Sequence, residues 1–259
     1  MQHAADALPK QPPQRTDKCP THGDYIAVNY WGTIWSGCPE CARVEREQAQ
    51  AEAAAKKRKE QLEAWQQRLG ESGIPKRFQD RTLKNYVAET PAKKRALDFA
   101  IAYADGFDEV LRTGRSGLFI GLPGTGKTHL AAGIGLRLMH RDKRSVLFTT
   151  VVRAIRRVKD TWSRGSAMTE AQAVASLVFP DLLILDEVGV QFDSDTEKLI
   201  LFDVLNERYE KCKPTLLMAN LTLEEVQAYL GERIFDRLRE GGGEAIVFDW
   251  DSYRGKVAA

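Results

Sequence analysis

Gly121-Leu-Pro-Gly-Thr-Gly-Lys127-Thr128 fills every fixed position of the phosphate-loop pattern G-x-x-x-x-G-K-[ST]. Glycines at this spacing let the backbone turn its N–H groups inward around an anion, and a helix opening at the loop's end adds its dipole. Gly121, Gly124 and Gly126 make the turn, and Pro123, Thr125 and His129 fall in the same nucleotide-contacting stretch. Lys127 is placed to reach the β- and γ-phosphates of ATP, and the Thr128 hydroxyl to sit on Mg2+. Downstream, Leu182-Leu-Ile-Leu-Asp186-Glu187 is an apolar run ending in two carboxylates. Asp186 suits Mg2+, and Glu187 suits polarisation of an attacking water. Asn220 closes another apolar run, where its amide serves a γ-phosphate or water as readily as it opens a turn. Arg233, Arg237 and Arg239 lie on one expected helix, Thr222 to Arg239, with the first two on one face. Such a run is either a solvated basic face or a source of a guanidinium for transition-state charge across a subunit boundary.

A second constellation opens the chain. Cys19-Pro-Thr-His22 and Cys38-Pro-Glu-Cys41 are two C-x-x-[CH] pairs separated by 15 residues, close to zinc-ribbon spacing. Four nitrogen and sulfur ligands make a closed tetrahedral Zn2+ site. A segment so short has too little apolar area to fold alone, so metal binding would supply the free energy. Cys212 lies far along the chain and reads as a bystander.

A third feature is Thr150 to Arg164, read as a helix. Val151, Ile155, Val158 and Trp162 form an apolar stripe, and Arg153, Arg156, Arg157 and Arg164 lie outside it. Basic side chains beside an aromatic platform meet the requirement for gripping single-stranded DNA without sequence preference. Trp162 also continues the stripe, so packing is its competing role.

These groups need a scaffold that brings residues 121–128, 186–187 and 220 to one edge. The runs Leu118–Ile120, Val146–Phe148, Leu182–Leu185, Thr215–Ala219 and Ile246–Phe248 are apolar on both faces, as buried parallel strands are. With helical stretches between them they predict one three-layer α/β domain with a five-stranded parallel sheet. Thr90-Pro91 starts a helix, and Ser194 with Glu197 and Thr222 with Glu225 have capping-box spacing. Ahead of this domain the sequence divides into a disordered tail (1–18), a zinc module (19–41), a helix free of Pro (42–70) and a linker (71–90), with the ATPase domain at 91–259. Within the helix, Leu62, Trp65 and Leu69 form a stripe that either docks on a partner or stays solvated. The 259 residues allow one sizeable core and a small module. With 38 basic against 36 acidic side chains, nucleic-acid contact must come from a local basic face. No apolar run approaches a membrane span and no signal-peptide core is visible, so a cytoplasmic location without membrane contact is expected.

From about Gly73 to Arg254 the chain resembles the DnaC-type replicative helicase loaders, AAA+ ATPases related to the DnaA initiator and the IstB transposition helper. The matching stretches are Ser72-Gly-Ile-Pro75, the phosphate loop, Leu185-Asp-Glu-Val-Gly-Val-Gln191, Leu230-Gly-Glu-Arg-Ile-Phe-Asp-Arg-Leu238 and Trp250-Asp-Ser-Tyr-Arg254. The resemblance implies sensor 1 at Asn220, an arginine finger at Arg237 acting on a neighbour's ATP, and a further arginine near the site at Arg254. It places a DNA-contacting aromatic at Trp162 and a DNA contact near Ser194, although Thr196 stands where loaders have an aromatic. The best-known DnaC lacks a zinc module, whereas DnaI-type loaders carry one that engages the helicase. The implied partners are a DnaB-type helicase hexamer, single-stranded DNA and further copies of the chain assembled side by side. Alternatives are an IstB-like transposition helper and a helicase adaptor or inhibitor with a non-catalytic ATP site.

Overall fold

The computed structural model describes residues 12–29, 32, 34–189 and 194–253. They fall into two compact units, Met1–Ala64 and Trp65–Ala259. The tail expected over 1–18 lies partly outside the described residues, and its end is not a tail: β1 (Gln14–Cys19) pairs antiparallel with β2 (Gly23–Val28). Residues upstream of Cys19 thus make the first strand of the hairpin that presents Cys19 and His22. Tyr30 and Trp31 lie outside the described residues.

α1 (Pro39–Glu71) buries none of its 33 residues, in keeping with its Ala, Glu, Gln, Lys and Arg content. Its last turns belong to the second unit, where Trp65 and Leu69 pack against the core and Trp65 meets His140 edge-on at 5.6 Å. Leu62 stays 54% exposed. Trp65 and Leu69 therefore find partners within the second unit, and Leu62 does not join them.

The segment expected to be a linker is built into the domain. Ile74 and Leu83 are buried, and Ser72 O accepts the N–H of Phe148 at 2.7 Å. That bond satisfies a donor on a strand at the edge of the sheet. Gly73 is required there, since a Cβ would lie 2.4 Å from Phe148 O.

The second unit holds α2 (Pro91–Asp105), α3 (Phe107–Thr113), β3 (Gly117–Gly121), α4 (Lys127–Arg137), β4 (Val146–Thr150), α5 (Val151–Lys159), α6 (Glu170–Val178), β5 (Leu182–Val188), α7 (Asp195–Glu210), β6 (Thr215–Ala219), α8 (Leu223–Leu230), α9 (Glu232–Arg239) and β7 (Glu244–Phe248). All five expected strands are present, in the parallel order β4-β5-β6-β3-β7. Alternate residues feed two cores. Phe119, Ile184 and Met218 face one with α2 and α4, while Leu118, Leu183 and Leu217 face the other with α5, α7 and α9. The apolar runs are explained by this double burial.

Two local expectations fail. The helix over Thr222 to Arg239 is broken at Gly231, whose φ of 80° no helix allows, so α8 and α9 are separate. Ser194 precedes α7 without capping it by its side chain, and Glu197 instead accepts from Lys159 Nζ at 2.9 Å. Thr90 and Thr222 do cap α2 and α8. Among the described residues no helix is long and apolar enough to cross a membrane.

Candidate nucleotide site and metal cluster

The carboxyl edge of the parallel sheet gathers the predicted groups because β3, β5 and β6 are neighbours. Gly121, Gly124 and Gly126 all adopt positive φ, at 114°, 77° and 101°. Thr125 is buried and its Oγ1 donates to Leu122 O at 2.8 Å. α4 begins at Lys127 itself, and Lys127 Nζ donates to Gly121 O and Leu122 O, each at 2.7 Å. The ammonium thus lies folded on the loop's own carbonyls, the same positively charged group that the loop would present to a triphosphate.

β5 delivers the carboxylates through a bulge. Leu185 pairs with Leu217 and Val188 with Ala219, so Asp186 and Glu187 together face one residue of β6. Glu187 takes φ +60° and is exposed. Thr128 Oγ1 lies 3.4 Å from Asp186 Oδ2, and Asp186 Oδ1 accepts the Glu187 N–H at 2.8 Å. Burial raises the Asp186 carboxyl above its ordinary range. A hydroxyl beside a half-buried carboxylate is an all-oxygen donor set suited to Mg2+. Asn220 is exposed just past β6, between Ala219, which pairs with the Glu187 end of β5, and Leu221, whose carbonyl accepts the Gly121 N–H at 3.2 Å.

His129 departs from its expected part. Its Nε2 is 3.0 Å from both Thr82 O and Asn85 Oδ1, two acceptors, so that nitrogen carries the proton and fastens the Thr82–Tyr86 segment beside the loop instead of facing a phosphate. Its ring meets Tyr86 edge-on at 5.1 Å, and burial lowers its pKa. Arg254 lies outside the described residues, as do the last two residues of the Leu185 to Gln191 stretch.

The arginines of α9 divide. Arg233 is exposed over the Phe202 ring at 5.6 Å. Arg237 is half-buried over Tyr209 at 4.9 Å, and it lines a small cleft with Ser116, Lys213 and Thr215, at the amino-terminal ends of β3 and β6. That is the edge of the sheet opposite the phosphate loop, so Arg237 does not belong to its own chain's nucleotide site.

α5 starts directly beside Asp186, because Thr150 and Asp186 are register partners. Val151, Ile155 and Val158 are buried, whereas Arg153, Arg156 and Arg157 line an open groove of about 390 Å³ with Met168 and Ser166. The helix ends at Lys159, and Trp162 sits in a following 3-10 turn, 50% exposed, its Nε1 donating to Glu170 at 2.5 Å. It has left the apolar stripe, and it is not among the groove's lining residues.

In the first unit, Cys19 Sγ, His22 Nδ1, Cys38 Sγ and Cys41 Sγ all lie within 4.8 Å of one another. Cys19 and Cys41 are 3.5 Å apart, and His22 Nδ1 is 3.3 to 3.7 Å from the three sulfurs. Ligands about 2.3 Å from one ion at tetrahedral angles are separated by about 3.8 Å, so this donor set fits Zn2+. The backbone N–H groups of Thr21 and His22 lower the Cys19 thiol to about 6, favouring the thiolate a metal needs. Cys212 is exposed at φ +51° in the turn after α7, apart from this cluster.

Sequence reasoning missed three contributors. Trp250 donates its Nε1 to Thr125 O at 2.9 Å, Tyr253 donates its N–H to Gly124 O at 2.9 Å, and Tyr86 packs on His129. Their aromatic and amide groups resemble ordinary packing until the backbone brings them to the loop.

Residues 109–257 match the family model described as IstB-like ATP binding protein. The replicative helicase loader DnaC of Escherichia coli strain K12 is 38% identical over 213 residues, 82% of this chain and 85% of that protein. The DnaC loader of Buchnera aphidicola subsp. Baizongia pistaciae is 34% identical over 212 residues, with the same shares. Among solved structures, a DnaC helicase loader is similar with a TM-score of 0.59 at 24% identity, over 67% of this chain and 99% of that one. DnaI gives 0.57 at 22% over 70% and 94%. The replication initiator DnaA bound to AMPPCP and single-stranded DNA gives 0.56 at 20% over 69% and 51%. These structural likenesses show the shared fold.

Proposed function

The chain belongs to the IstB/DnaC family of ATP-binding proteins, and from that premise we propose that it is an ATP-dependent loader of a DnaB-type hexameric replicative helicase onto single-stranded DNA. One observation carries the reading beyond ATP binding: the arginine-lined helix α5 is capped by Thr150, the register partner of the metal-suited Asp186. A strand-binding groove and a nucleotide site joined through two adjacent strand ends suit a switch whose grip follows nucleotide state.

Bound Mg-ATP supplies the phosphoryl group that passes to water. Lys127 would bind the β- and γ-phosphates, Thr128 and Asp186 would hold Mg2+, Glu187 would accept the proton of the attacking water, and Asn220 would orient that water or the γ-phosphate. Arg237, turned away from its own site, serves the site of an adjoining copy, so ATP favours side-by-side assembly and hydrolysis relaxes it. By the family resemblance, Arg254 is assigned to the nucleotide as a further arginine. Cys19, His22, Cys38 and Cys41 would hold Zn2+, which would fix the shape of the first unit. That unit leaves Ile26 60% and Ile34 66% exposed, two apolar side chains open to a helicase contact. The work is cytoplasmic.

The test is retention of a purified DnaB-type hexamer by the full chain, followed by transfer onto single-stranded circles with ATP. Retention that survives Cys38→Ser with Cys41→Ser removes the zinc unit from the contact. Transfer that proceeds without ATP overturns the loader reading. The IstB-like family description keeps a transposition helper as the second reading, and it requires preference for duplex over single-stranded DNA. The intact Lys127, Asp186, Glu187 and Asn220 weigh against an adaptor or inhibitor with a non-catalytic site.

A further inference from the structure

A phosphate loop that turns its N–H groups inward must turn its carbonyls outward, and each buried carbonyl needs a donor. In this chain the donors come from two sources. Gly121 O and Leu122 O are met by Lys127 Nζ, at 2.7 Å each. Gly124 O and Thr125 O are met by the stretch that follows β7: the Tyr253 amide donates to the first and the Trp250 indole to the second, both at 2.9 Å. Just before it, β7 ends on Phe248, whose carbonyl accepts the Leu122 N–H at 3.0 Å and whose ring lies 4.9 Å from that of Trp250. Three hydrogen bonds therefore tie Phe248–Tyr253 to Leu122, Gly124 and Thr125.

The two sources are not equivalent. Lys127 must leave the loop carbonyls when it turns to a triphosphate. The Thr125 hydroxyl still serves Leu122 O, at 2.8 Å, but no other group of the loop itself meets Gly124 O or Thr125 O. We propose that Phe248–Tyr253 is a strap that keeps the loop in its anion-binding shape, with Trp250 as the positioning residue. The proposal rests on the reading that this loop binds a nucleoside triphosphate. It assigns the strap a part in affinity: the loop is pre-shaped before the phosphates arrive, and little ordering is left to be done on binding.

The experiment is calorimetric titration of Mg-ATP into the full chain carrying Trp250→Phe, which keeps an aromatic ring beside Phe248 and removes the indole N–H. Nucleotide binding is expected to weaken about tenfold, the equivalent of about 1.4 kcal/mol, at unchanged stoichiometry. The thermal midpoint without nucleotide should stay within about 2 °C of the wild type. A merely structural role would reduce the number of competent sites and leave their affinity alone. Equal affinity in a folded Trp250→Phe chain overturns the strap while the wild type still binds. A wild type that binds no nucleotide overturns the premise and the strap together. Should the variant fail to fold, the wild-type indole N–H resonance of Trp250 decides. Slow exchange with water and a shift on adding Mg-ATP support the strap, and fast exchange without a shift overturns it.

Discussion

Thr128 Oγ1 and Asp186 Oδ2 stand 3.4 Å apart, joining the first turn of α4 to the end of β5. The carboxylate there is destabilised chiefly by burial, with the neighbouring Glu187 charge adding to it. The folded chain therefore holds the Asp186 proton more tightly than the unfolded chain does, and this group's contribution to stability declines as pH rises above about 3.8. Asp186→Asn removes the penalty. In metal-free buffer its thermal midpoint should exceed the wild type's at pH 7 to 8, with the gap closing towards pH 4. The same variant should lose Mg2+-dependent ATP hydrolysis. A midpoint below wild type at pH 8 would show that Asp186 holds the fold together and is not held ready for a cation.

Glu187 occupies the left-handed region at φ +60°, where a side chain costs about 1–2 kcal/mol. The bulge in β5 forces it there, and strain of this kind persists where the position serves chemistry. Glu187→Gly should stabilise the chain by about 1 kcal/mol in denaturant titration while abolishing turnover. Glu187→Gln should cut turnover by at least about 10²-fold with ATP affinity unchanged. Turnover that persists in the Gln variant would assign the proton to another base.

The sheet was legible because its five strands are buried on both faces and so read as unbroken apolar runs, and the phosphate loop because its glycines are a backbone requirement. Helix ends were less so. Gly231 divides α8 from α9, yet nothing around it in sequence distinguishes a break from a tolerated glycine. Trp162 obeyed the helical period but lies beyond the end of α5. Contacts made by long-range approach were not legible at all. Trp250 on Thr125 spans 125 residues, and Trp65 on His140 depends on where α1 meets the domain. A residue whose partner is a backbone atom leaves no pattern in side-chain spacing.

Arg208 illustrates that last class. It is fully buried, and its guanidinium donates to Leu177 O, Val178 O, Pro180 O, Pro214 O and Thr215 Oγ1 at 2.6 to 3.0 Å. Burial pushes its pKa down to about 9. Arg208→Met leaves these acceptors without donors and should destabilise the chain by about 3 kcal/mol. Arg208→Lys should recover only part of this, since one ammonium cannot span the fork. A denaturant midpoint unchanged in either variant would mean the carbonyls find water.

The cysteine cluster makes a separate prediction. One zinc per chain should be found by native mass spectrometry, and Cys38→Ser should lower the content severalfold while leaving ATP affinity at Lys127 unchanged. Wild-type protein that binds no zinc under reducing conditions would reassign the four residues to thiol chemistry.

The proposed grip on single-stranded DNA predicts two kinds of contact, one at the groove on α5 and one at Trp162. Arg153 and Arg156 enter no ion pair among the described residues, so each is available to a phosphate. Each phosphate contact contributes about 0.7 to the slope of log affinity against log salt on single strands. Arg156→Ala should therefore reduce that slope by about 0.7, with binding weakened most at low salt. Trp162 offers a half-exposed ring, with its N–H held by the Glu170 carboxylate at 2.5 Å. Stacking is worth about 1–3 kcal/mol per base and is indifferent to salt. Trp162→Ala should weaken binding by roughly 5- to 150-fold at every salt concentration with the slope intact. Because Glu170 brings a negative charge to the same place, Glu170→Gln should tighten binding modestly at low salt. Trp162→Ala acting through the slope instead would mean that the ring orders the arginines and touches no base.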